Sequence, residues 1–215
     1  MLSRVSVSIL LKSVIAALGA IIVVMLALSA RESWTRLKTA SQISNVANIS
    51  SYMFTAMNSL RVDRSATIRD LVADRQLTAM NSLLKESRDI EMPALNGLMT
   101  ALASAEIPDR DQIAAEFGSK LKRLKELHEQ TAAQFLQPKS ARPAGLSDEY
   151  NKEVLGLMDA LDKHGTQLVK LISLKDPYVD QLMEIKQIAW AMRNAAGDAS
   201  LVVSNTLGGD RKSVV

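Results

Sequence analysis

Cysteine is absent from all 215 residues, histidine occurs only at His128 and His164, and aromatic residues make up 4% of the chain. The first absence excludes disulfide frameworks, thiolate metal sites and cysteine nucleophiles. The second, with no HExxH-type spacing around either imidazole, argues against histidine-based metal catalysis. Two Trp, three Tyr and three Phe offer few platforms for stacking bases, and 26 basic residues against 23 acidic ones make a balanced surface, so nucleic acid is not an expected partner. No acid–base pair has a recognisable catalytic spacing, so neither an enzyme nor a cofactor or metal is expected. What remains is 47% hydrophobic with few prolines and glycines, the profile of a helical chain.

The longest uninterrupted apolar run is SVIAALGAIIVVMLALSA, Ser13 to Ala30, 18 residues without a charge. At 1.5 Å per residue, about 20 residues cross the roughly 30 Å hydrocarbon layer, so the run is just long enough for a membrane helix. A cleaved signal has an apolar region of about 7–15 residues and small residues before the cut; this run is longer and carries Leu28 near its end. An uncleaved anchor over residues 13–30 is therefore the expectation, behind a cytoplasmic tail at 1–12. Arg4 and Lys12 favour that orientation, while Arg31, Arg36 and Lys38 on the far side oppose it. The anchor would place the bulk of the chain, residues 31–207, outside the cytoplasm, with a tail at 208–215.

Beyond Arg31 no period-two alternation of useful length occurs, and apolar residues recur every three or four positions. The expected fold is all-α: the membrane helix continues into an antiparallel bundle of about four to five helices. The first seam runs through Ile43, Val46, Ser50, Met53, Met57, Leu60, Arg64, Thr67 and Leu71, and weakens around Ala73-Asp74-Arg75. A second passes through Leu77, Met80, Leu84, Ser87, Glu91, Ala94, Leu98 and Ala101, where Pro93 is expected to kink or restart the helix. Asp109 with Gln112 reads as a capping box before a helix burying Ile113, Phe117, Leu121, Leu124, Leu127, Thr131 and Phe135. After the Pro-rich stretch Gln137 to Leu146, Ser147 is the expected cap of a helix with seam Val154, Met158, Leu161, Gly165, Leu168 and Ile172. Asp176-Pro177 opens the last helix, expected to bury Leu182, Ile185, Ala189, Met192, Ala196, Ala199 and Val203 and to stop at Gly208-Gly209. The methionines, mostly at helical spacing, read as gap-filling core.

Two patches break this pattern. Arg64 and Thr67 fall on the first seam, with Arg61 one turn earlier. A guanidinium there requires a partner, because an unpaired buried charge costs several kcal/mol. One reading pairs it with Asp63, Asp70, Glu91 or another helix's acid; the other makes Arg61 and Arg64 a socket for a ligand carboxylate or phosphate. On the last helix, Lys186, Trp190, Arg193 and Gly197 share one face at steps of four, three and four. Trp190 is either a boundary core residue covered by the Lys186 and Arg193 stems, or the platform of a site for an anionic or aromatic ligand. His128 and His164 read as solvated helix residues.

The N-terminal anchor running into a helix, the block NSLRVDRSATIRDLV and the block YVDQLMEIKQIAWAMRNAAGDASLVVSNTL together resemble the front end of a bacterial methyl-accepting chemotaxis protein. The resemblance implies a homodimeric inner-membrane receptor whose periplasmic bundle binds a small anionic or amino-acid-like molecule, often through arginines. It implies a ligand-sensing function, cut short before the second membrane helix and signalling module that such receptors carry. The alternative is a non-sensory, membrane-tethered bundle acting as a structural or protein-interaction module.

Overall fold

The three-to-four-residue apolar spacing becomes five helices and no strand among the described residues of the computed structural model. It describes the backbone of residues 7–74, 76–173 and 175–210, and side chains other than those of 7, 194, 198 and 200–210. The order is α1 (Val7–Val72), α2 (Ser82–Ser104), α3 (Arg110–Phe135), a 3-10 turn at Lys139–Ala141, α4 (Leu146–Ile172) and α5 (Pro177–Asp210). Two compact units follow one another along the chain, residues 1–45 and 46–215.

In the first unit, α1 leaves Ile15, Ile22, Val23, Met25 and Leu26 more than half exposed. Exposed on every side and free of charge, this stretch is long and apolar enough to cross a membrane. Of the expected tail, residues 7–12 are already helical, and 1–6, with Arg4, lie outside the described residues.

In the second unit, the rest of α1 packs with α2, α3 and α4 around one core. Val46, Met53, Leu60, Leu84, Leu98, Phe117, Leu124, Leu127, Val154 and Leu161 are buried there, all of them seam positions. Gly97 of α2 marks a close approach: a Cβ at that position would stand 2.5 Å from Cε1 of Tyr52 on α1. Gly97→Ala gains at most about 1 kcal/mol of helix propensity against an overpacking cost of about 1–3 kcal/mol. A net loss of stability is expected in a chemical melt, relieved when Tyr52 is also shortened to leucine.

Helix ends follow local capping chemistry at α5 and depart from it at α3 and α4. Asp176 does cap α5, accepting from the backbone N–H groups of Tyr178 and Val179 at 2.9 and 3.2 Å. Asp109 does not form the expected capping box: its backbone is left-handed, with φ of 55°, and its side chain caps nothing. Ser147 is not the cap of α4 either. Gly145 takes that place with φ of 89°, a conformation glycine reaches without Cβ strain, and this lets Leu146 enter the core as the first helical residue. Pro93 lies inside α2, which continues through it, since Leu84, Leu95, Leu98 and Leu102 on both sides of it are buried on one face. Helix α5 runs through Gly208-Gly209 to Asp210, and 211–215 lie outside the described residues. The orphan carbonyls closing α1 are satisfied from the Pro-rich loop: Nη1 of Arg142 donates to the oxygens of Asp70, Leu71 and Ala73 at 3.1, 2.8 and 2.8 Å. A guanidinium there also complements the negative end of the helix dipole.

The expected α5 seam is the largest departure. Leu182, Ile185 and Met192 are exposed, and so are Ala189, Ala196 and Ala199; the side chain of Val203 lies outside the described residues. The face turned toward the other helices instead carries Val179, Met183, Lys186 and Trp190, all half-buried. Periodicity identifies an apolar stripe but does not say which stripe has a neighbour to cover it.

Candidate functional site

Two constellations stand out in the second unit. The first is a cavity of about 400 Å³ between α1, α2, α4 and α5, with Arg61, Arg64, Arg69, Leu83, Asp159 and Gly197 among its lining residues. Its arginines come from α1, at steps of three and five, which bring them to one side of the helix. Arg64 donates through Nη1 to Asn151 Oδ1 at 3.2 Å, while its Nε is buried with no hydrogen-bond partner. Among the described residues no carboxylate, the partner that one of the two readings gives it, pairs with Arg64; an amide oxygen meets Nη1 and leaves Nε without a partner. Arg69 is largely exposed beside Asp70, at 3.4 Å.

Arg61 also joins the two sequence patches. Its guanidinium carbon lies 4.6 Å from the centre of the Trp190 ring, and Phe54 meets the same ring edge-on with centroids 5.3 Å apart. Trp190 Nε1 donates to Asp162 Oδ1 at 3.2 Å. The cation on Trp190 is thus Arg61 of α1 rather than a Lys186–Arg193 pair. Lys186 lines a smaller cavity with Met53, Phe54, Leu161, Asp162 and Trp190, where burial pushes its ammonium pKa down. Arg193 is exposed and lines neither cavity.

The second constellation is a buried polar cluster contributed by four helices. Asp63 of α1 is fully buried, and Arg88 of α2 donates to its Oδ1 from Nε at 3.2 Å. Thr67 donates to the same oxygen at 2.8 Å and accepts from Arg88 Nη2 at 3.1 Å. Thr67 therefore belongs to this core cluster and not to the arginine cavity. Arg88 also donates to the His128 carbonyl at 3.3 Å and to Thr131 Oγ1 at 3.2 Å. The other Asp63 oxygen accepts from the Tyr150 hydroxyl of α4 and lies 2.9 Å from His128 Nε2 of α3. With an acceptor-only carboxylate as partner, that nitrogen is the protonated one. Glu91, one turn beyond Arg88, has Oε1 3.5 Å from His128 Nε2, and neither of its oxygens has a hydrogen-bond partner.

These surroundings separate two carboxyls of the same type. Burial pushes Asp63 up, but the His128 hydrogen bond, Arg88 and Tyr150 outweigh it and hold the group below the ordinary carboxylate range. Burial and the Asp63 charge push Glu91 well above that range, Arg88 only partly opposing them. Burial lowers His128 against the pull of Asp63, and burial with Asp63 keeps Tyr150 a protonated donor. The cluster accordingly pairs Arg88 with Asp63 and disfavours the charged form of Glu91.

His128 is thus a core residue, not a solvated one, and the spacing carried the signal: Leu121, Leu124, His128, Thr131 and Phe135 step by three and four. Arg88 lies between Leu84 and Glu91, and Tyr150 precedes Val154, in the same way. His164 is buried as well, its ring nitrogens 2.9 Å from Gln167 Oε1 and 3.0 Å from Glu116 Oε2. Its hydrogen bond holds Glu116 below the ordinary carboxylate range. No protein family, no curated protein and no solved structure matches the chain.

Proposed function

We propose that this chain is a membrane-anchored sensor whose helical bundle binds a small anionic or amino-acid-like molecule in the arginine cavity. The observation that carries the reading is Arg64: its fork lines the cavity, is half-satisfied by Asn151, and keeps a buried Nε without a partner. A ligand carboxylate supplies the missing acceptor in bidentate geometry. Asp159 of α4, which also lines the cavity, offers a contact for an ammonium group, which favours an amino acid over a simple anion. Arg61, stacked on Trp190, links ligand binding to α5. A ligand shifts helix packing only by its differential affinity for the two packings, so a contact spanning α1, α4 and α5 has the geometry that sensing requires. The orientation proposed is a cytoplasmic N-terminus with the bundle in the periplasm of a bacterial inner membrane, acting as a homodimer of the chemotaxis-receptor type.

The test is a thermal-shift screen of the full chain in detergent against amino acids and small organic acids. At least one is expected to raise Tm, and Arg64→Ala is expected to weaken its binding roughly tenfold to a hundredfold, the loss of one charge-assisted hydrogen bond at about 1.5–3 kcal/mol. A folded protein that no compound stabilises, or an Arg64→Ala variant with an unchanged response, overturns the reading. The exposed stripe Leu182, Ile185, Ile188 and Met192 on α5 favours the second reading, a tethered protein-interaction module, and in that case crosslinking captures a protein partner while no small molecule acts.

A further inference from the structure

We propose that Asp63, Glu91 and His128 form a binding site for one first-row divalent transition cation, with zinc as the representative ion. Each residue offers one donor atom, a carboxylate oxygen from Asp63 and from Glu91 and a ring nitrogen from His128, and these lie within 4.8 Å of one another in the core. Ligands placed about 2.0–2.1 Å from a tetrahedral ion stand roughly 3.3 Å apart. The two distances from His128 Nε2, 2.9 Å to Asp63 and 3.5 Å to Glu91, bracket that value. The two edges from His128 therefore need adjustments of only a few tenths of an ångström, and the Asp63–Glu91 edge closes from within 4.8 Å.

Glu91 is the independent pointer to a ligand. Its side chain is fully buried, faces the cluster, and has no hydrogen-bond partner for either oxygen. Buried carboxylate oxygens are seldom left unmatched in a folded core, and an ion between Glu91, Asp63 and His128 matches them. The surrounding groups suit the role. Arg88 on Asp63 Oδ1 and Tyr150 on Asp63 Oδ2 orient that carboxylate, as outer partners of metal ligands commonly do. With both carboxylates ionised, the cluster holds two negative charges against the one positive charge of Arg88, and the net negative charge favours a cation. On binding, the imidazole coordinates through Nε2 with its proton moved to Nδ1, and the Glu91 proton leaves to solvent. One nitrogen and two carboxylates form a donor set for zinc and its neighbours, whereas magnesium and calcium require six or more oxygens that this core does not supply.

The full chain in detergent, stripped with EDTA, is dialysed against Zn2+ and then assayed for retained metal and for Tm. One Zn2+ per chain and a rise of roughly 5 °C or more at saturating metal are expected, with no response to Mg2+. Co2+ in place of Zn2+ is expected to develop visible absorption from a low-symmetry N/O site. Glu91→Gln keeps the volume of the buried side chain and places no charge in the core, so it is expected to fold and to lose the retained metal and the Co2+ spectrum. His128→Gln is the second variant, and Glu116→Gln, at the separate His164 pair, is expected to change neither signal. The proposal is overturned if the folded wild-type chain retains no zinc, or if Glu91→Gln or His128→Gln binds it as wild type does. It is equally overturned if Glu116→Gln is the variant that loses it.

Discussion

Arg88→Met is expected to remove about 3–5 kcal/mol of folding stability, enough to threaten the fold of a domain of this size. Among the described residues the guanidinium is the one permanent cation on Asp63, and it also holds Thr67, Thr131 and the His128 carbonyl. Methionine fills much of the volume but leaves Asp63 buried with only neutral donors, so its carboxylate must either persist uncompensated or take up a proton. The companion measurement is the double variant Asp63→Leu with Arg88→Met. Removing both charges together is expected to recover a substantial part of the loss, because the penalty lies in the stranded partner more than in the missing attraction. Urea melts followed by circular dichroism supply all four corners of the cycle. A single Arg88→Met loss under about 1 kcal/mol would mean that the ion pair is not buried as described.

Glu91→Gln is expected to act in the opposite direction and to do so with a pH signature, provided that the protein is held in a chelator. The folded-state pKa of Glu91 is raised, so the protonated carboxyl is compatible with the core at low pH and the wild type loses stability as pH climbs above the ordinary glutamate value. Glutamine does not titrate. The variant should therefore match the wild type near pH 4 and become progressively more stable at higher pH, by at most about 1.4 kcal/mol per pH unit for one proton. Asp63 bends the profile at the acid end: its pKa is lowered, its contribution is complete above the ordinary aspartate value, and it fades as pH falls through the folded value in wild type and variant alike. Parallel stability curves for the two proteins between pH 5 and pH 8 would show that Glu91 keeps its charge in the core.

Both predictions concern residues whose positions were partly legible. The heptad steps placed Ser87 and Glu91 on the second seam and Thr67 on the first, and those positions are buried. Asp63 and Arg88 lie one place off the seam positions, and the charged sequence neighbours of His128, Lys125, Glu126 and Glu129, suggest a solvated residue. Neighbours in sequence are poor guides on a helix, where residues one and two apart face different ways. The residues three and four away, Leu124 and Thr131, were the informative ones.

The arginine cavity divides in the same manner. Arg61 and Arg64 were singled out because charged groups interrupted an apolar seam, and both line the cavity. That Arg69 and Asp159 join them, that Thr67 turns away into the core, and that Trp190 of α5 stacks on Arg61 are consequences of which helices meet.

Sequence alone determined the helical class, the apolar stretch long enough for a membrane and most of the seams of α1 to α4, because each depends on properties within one helix: length, charge and a period of 3.6 residues. Tertiary structure alone decided that Arg88 answers Asp63 while Arg64 answers Asn151, that Glu91 is left with two unmatched oxygens, and that the apolar stripe of α5 faces outward. Those outcomes depend on distances between residues 25 to 87 positions apart, such as Asp63 to Arg88 and Arg64 to Asn151, and periodicity within one helix carries no information about its neighbour.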